Sequence, residues 1–126
     1  MSDTLYTLRV DVDALLSRLS GRVRAPVLDA ALAVHRALHT LAIRLQDHGG
    51  DPGPLDLPGR PGGQQGKGKL MDDERNDISS DIRALPDRIA RLETRLAAEH
   101  HRGVVGAARK ARRAAERLAK VFKESA

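Results

Sequence analysis

Apolar residues recur along this chain at alternating spacings of three and four, the period of helices that bury one stripe. The first stripe is Leu5, Leu8, Val12, Leu15 and Leu19, preceded by the N-cap candidates Ser2 and Asp3 and followed by Ser20-Gly21. The second is Val27, Ala31, Val34, Leu38, Leu41 and Leu45. Pro26 suits its first helical position and Gly49-Gly50 its end. Leu28, Leu32 and Ala42 broaden this helix's apolar side, which predicts a central place in the assembly. The short connection between the two stripes predicts an antiparallel hairpin over residues 1–48.

The third stripe, in a segment from about Asp72 to His101, is Ile78, Ile82, Leu85, Ile89, Leu92 and Leu96. Asp72, Asp73, Glu74 and Asp77 stand at its start, where a helix dipole favours negative charge. With Ile82, Ile89 and Leu96 at a and Ile78, Leu85 and Leu92 at d, the six residues form a candidate oligomer or partner seam. Such a seam suits a parallel dimer in which Arg88 at g meets Glu93 at e of a partner. Pro86 lies inside the run and costs about 3 kcal/mol in a helix interior, so packing of this stripe on the first hairpin is the preferred reading.

The fourth stripe is Val104, Ala108, Ala111, Ala115, Leu118 and Phe122. Leu96, His100 and Val104 are four apart, so one long helix with a stutter also satisfies the pattern. His100, His101 and Arg102 before Gly103 favour a break or bend near Gly103. Residues 70–126 therefore read as a C-terminal helical pair. The fold class expected is all-α, with helical hairpins forming a small bundle or an extended coiled-coil-like assembly.

Between the two pairs the pattern vanishes. Residues 49–69, GGDPGPLDLPGRPGGQQGKGK, hold four of the six prolines and eight of the 11 glycines. A stretch so poor in apolar side chains cannot repay its ordering entropy, which predicts a flexible linker with at most a brief contact at Leu55 and Leu57.

Composition narrows the function classes. The 126 residues suit one small domain or two helical pieces. Tyr6 and Phe122 are the only aromatic residues of the Phe, Tyr and Trp class, too few for a base-stacking platform or an interfacial aromatic belt. Without cysteine there is no disulfide framework, thiolate metal site or thiol nucleophile. No apolar run approaches about 18 residues, and no signal-peptide pattern opens the chain. The expectation is a soluble, cytoplasmic protein with no membrane partner and no cofactor.

Charge changes the picture most. The formal net charge of +5 is unevenly placed: residues 1–99 carry 14 basic and 15 acidic side chains, whereas residues 100–126 carry eight basic and two acidic. The eight are Arg102, Arg109, Lys110, Arg112, Arg113, Arg117, Lys120 and Lys123, against Glu116 and Glu124. At 100° per residue the cations fan across the side opposite the Ala-rich stripe. That stripe lets the helix lie close to a neighbour while the cations face outward. Spacing of this kind can follow a phosphate backbone and release counterions. An acidic protein surface is the alternative recipient, and a merely solvated face is the plain account. The mostly Ala apolar side supplies little energy for membrane insertion.

Other constellations are weaker. His35 and His39 are four apart in HRALH, but Arg36 stands where a zinc-protease motif needs Glu. A metal would need further donors from His100, His101 or Asp47. A packed histidine beside an exposed one is the simpler account. Gly63 to Lys69 matches the spacing of a phosphate-binding loop, yet Leu70 replaces the magnesium-binding hydroxyl and no strand precedes it.

Leu8-Arg9-x-x-Val12-Asp13 and Asp72-x-x-Arg75 resemble helix patterns of small all-α chorismate mutases, over a small part of the chain. The resemblance implies Arg9 as a ligand for a substrate carboxylate. The family's further cations would fall at Pro26 and Ala37, neither of them basic, so a rearranging dianion lacks its electrostatic stabiliser and the family is not adopted. No nucleophile–base order or paired acid stands out. The sequence thus reads as a non-enzymatic helical interaction or assembly protein. Its seam would engage partner helices or copies of itself, and its basic C-terminal helix would contact nucleic-acid phosphates non-specifically.

Overall fold

Each of the four apolar stripes becomes one helix in the computed structural model, which describes residues 2–20, 22–50, 71–99 and 101–124. The helices are α1 (Ser2–Leu19), α2 (Ala25–Asp47), α3 (Asp72–Ala98) and α4 (Arg102–Glu124). No strand occurs among the described residues. The segment read as a linker lies, from residue 51 onward, outside the described residues.

Local chemistry accounts for the helix ends. Arg24 is the N-cap of α2 in extended conformation, and Pro26 occupies the first turn, where its missing N–H deprives no carbonyl. At the other end Gly49 takes φ +83°, the left-handed conformation that glycine adopts without a Cβ penalty. Gly50 N–H then donates to Leu45 O at 2.9 Å and Gly49 N–H to Gln46 O at 3.0 Å, a Schellman closure. Helix α3 ends at Ala98 and α4 begins at Arg102, so the change of helix comes slightly before the expected position and Gly103 already belongs to α4. His101 N–H closes α3 on Leu96 O at 2.8 Å, while His101 O accepts from Val104 N–H at 3.0 Å at the start of α4. Helix α3 runs through Pro86 without a new start, because Ile82, Leu85 and Ile89 around it are all buried.

Residue pairings set the directions. Arg22 with Glu74, Arg18 with Asp81 and Arg88 with Asp11 fall on rising positions of α1 and its following turn and on descending positions of α3, so those segments run antiparallel. The ring of His48, at the end of α2, lies against Gly103 at the start of α4, so α2 and α4 are antiparallel too. The result is a four-helix bundle of two hairpins with α1–α2, α2–α4, α4–α3 and α3–α1 as neighbours. The chain between Gly50 and Met71 joins α2 to α3 at opposite ends of this bundle.

The core sits along the bundle axis. None of the residues in the four stripes is more than 5% exposed. Each helix presents its own arc, and Ala30 and Ala107 extend the core beyond the stripes. The closest packing is that of α4 against α2 and α3. Ala108, Ala111 and Ala115 are fully buried, and with nothing beyond Cβ they let the neighbouring backbones approach. By contrast, α1 meets α3 more loosely, across the three ion pairs just named.

The heptad seam is spent on the chain's own fold. Ile78, Ile82, Leu85, Ile89, Leu92 and Leu96 are at most 3% exposed within the single chain. Arg88 pairs with Asp11 of α1 at 2.8 Å, and Glu93 with Arg112 of α4 at 2.8 Å, instead of with each other across a dimer. Coiled-coil pairing of the seam would require this bundle to open.

Candidate functional site

Helix α4 occupies a corner of the bundle, with its Ala-rich side inward and its cations outward. Arg102, Arg109, Lys110, Arg113, Arg117, Lys120 and Lys123 are all exposed, and none of the seven makes an ion pair among the described residues. Arg112 differs. Its side chain is 35% exposed, with Nε 2.8 Å from Glu93 Oε1 and Nη1 4.0 Å from Glu116 Oε1. It braces α4 on α3 and is the least available of the eight.

The opposite edge of the bundle has a different electrostatic character. There Arg18, Arg22 and Arg88 are each matched by an acid across the α1–α3 side. The tightest match is Arg22 with Glu74, at 2.7 and 2.9 Å through both guanidinium ends. These hydrogen bonds hold the Glu74 carboxyl below the ordinary carboxylate range, against a desolvation effect that pushes it up. Glu74, third residue of α3, also receives a hydrogen bond from the backbone of Met71, half of a capping box. A groove of about 280 Å³ on that side is lined by Asp11, Arg18, Asp81 and Arg88, two of each sign. Charge is balanced on one side and unbalanced on the other.

The aromatic residues are committed to the fold. Phe122 is 3% exposed, with the Arg75 guanidinium 4.9 Å from its ring centroid, and Tyr6 is half-buried. Neither presents a free ring face on α4.

His39 is exposed and His35 half-buried, as the simpler account of that pair expects. Among the described residues no three His, Asp or Glu side chains stand close enough to hold a metal ion. His100 and the segment matching a phosphate-binding loop lie outside the described residues. Among the described residues no helix is long and apolar enough to cross a membrane.

In the sequence only a family resemblance points to Arg9. It is 3% exposed, and its Nη2 donates to His39 Nδ1 at 3.2 Å. Its position one turn after Leu5 and two turns before Leu16, on the buried side of α1, was the available signal. Arg44 and Arg83 also escape the sequence reading. They border grooves beside α4, but in sequence they are isolated cations within α2 and α3.

Comparison with protein-family models, with curated proteins and with solved structures returned no match.

Proposed function

We propose that this chain is a non-enzymatic nucleic-acid-contacting protein whose α4 binds duplex phosphates without reading bases. The observation that carries the reading is the set of seven exposed cations on one helix that have no ion-pair partner among the described residues, accompanied on that helix only by Glu116 and Glu124. Neighbouring like charges on a helix repel one another, so the face costs stability that a polyanion would return. A duplex backbone supplies closely spaced negative charge and releases counterions when Lys or Arg replaces them. The burial of Phe122 under Arg75 argues against base stacking and favours phosphates over exposed bases.

The experiment is a mobility-shift titration of duplex DNA at about 50 and 200 mM salt, with wild type and an R109E/R113E/R117E variant. Binding that weakens steeply with salt and is lost in the triple variant supports the reading. Absence of wild-type binding at about 50 mM salt ends it, and full affinity in the triple variant places the contact away from α4.

A further inference from the structure

Two grooves flank α4, one on each side and toward opposite ends. The first, about 360 Å³, lies between α2 and α4, with Arg44 on one wall, Lys110 on the other and Gly106 in its lining. The second, about 350 Å³, lies between α3 and α4, with Arg83 facing Lys120 and Lys123. Among the described residues no carboxylate lines either groove, whereas the α1–α3 groove contains Asp11 and Asp81. Between the two grooves, Arg113 and Arg117 project from the outward strip of α4. The step from Lys110 to Lys123 is about 20 Å along the helix axis.

Gly106 adds a separate clue. Glycine in a helix interior costs about 1 kcal/mol relative to alanine, and a Cβ built at Gly106 would meet nothing within 4 Å. Internal packing therefore does not require glycine at that position. A bare backbone beside two cations is suited to close approach by an external anion.

Building on the reading of α4 as a phosphate-binding helix, we propose that one strand of a nucleic-acid duplex crosses α4 obliquely. It enters the α2–α4 groove between Arg44 and Lys110, over Gly106, passes Arg113 and Arg117, and leaves by the α3–α4 groove among Arg83, Lys120 and Lys123. The recognised chemistry is the phosphodiester backbone, and two helices besides α4 contribute to the track. Arg44 and Arg83 are phosphate contacts in this arrangement.

The test measures affinity for a short DNA duplex across salt, for wild type and for R44A, R83A, G106M and the control R91A. Arg44, Arg83 and Arg91 are exposed and make no ion pair among the described residues, and Arg91 borders neither groove. R44A and R83A should each flatten the slope of log K against log salt by about 0.9, their combination by about 1.8, and R91A should leave it unchanged. G106M should weaken binding without any change in charge, while circular dichroism reports intact helix content. An RNA duplex of the same sequence, run alongside, distinguishes the two sources of the backbone.

If wild type binds and R109E/R113E/R117E abolishes binding, but R44A and R83A keep the wild-type slope, the oblique track is wrong and the role of α4 stands. A slope change in R91A equal to that in R44A also overturns the track, because the whole field rather than the grooves is then being read. If wild type does not bind at all, both readings fall together.

Discussion

Arg22 holds Glu74 with both ends of its guanidinium, Nη1 donating to Oε2 at 2.7 Å and Nη2 to Oε1 at 2.9 Å. The pair ties the turn after α1 to the first turn of α3 and so links the two hairpins non-covalently. Bidentate geometry and a 12% exposed Arg22 side chain make this the strongest candidate among the surface ion pairs for a stabilising role.

Its stabilisation depends on pH in a defined direction. The folded carboxyl of Glu74 is lowered, chiefly by the hydrogen bonds from Arg22, while Arg22 is raised and remains charged. The contribution is fully present above the unfolded glutamate value of about 4.3 and is lost as pH falls through the lower folded value. Urea unfolding of wild type and Glu74→Gln across the acid range should therefore give a stability difference that shrinks with falling pH. A difference constant throughout that range would remove Glu74 as its source.

Arg9 should matter through packing as well as charge. Arg9→Ala leaves space beside Leu5 and His39 and should cost about 2–4 kcal/mol. Arg9→Met retains most of the volume, so it should recover the packing part of that loss. Chemical denaturation of both variants decides the point, and equal losses would show that the guanidinium itself dominates.

The alanine stripe of α4 should resist enlargement. Ala111 is fully buried, so Ala111→Leu should destabilise by about 1–3 kcal/mol through overpacking. Ala97→Leu, at an exposed position of α3, should be nearly neutral. Matching effects in thermal melts would refute close approach of the helices at Ala111.

Pro86 offers a gain. It interrupts the hydrogen-bond ladder of a helix that continues on both sides, so Pro86→Ala should stabilise by up to about 3 kcal/mol. A melting temperature that does not rise would mean that the surrounding helix has already absorbed the cost.

The four helices and their inward sides were legible in the chain because helical periodicity is local: Leu8, Val12 and Leu15 identify a face without reference to any partner. The charge asymmetry of α4 was likewise legible from composition. Periodicity says which side turns inward but not which neighbour it meets. Tertiary packing alone decided that Ile78 to Leu96 would serve this chain's own core and that Arg112 would brace Glu93. It also brought Arg44 and Arg83, 39 positions apart, to the two borders of α4. The physical reason is the Ala-rich stripe: it allows α2 and α3 to close on α4 from both sides, and cations carried by three helices then border one corner of the bundle.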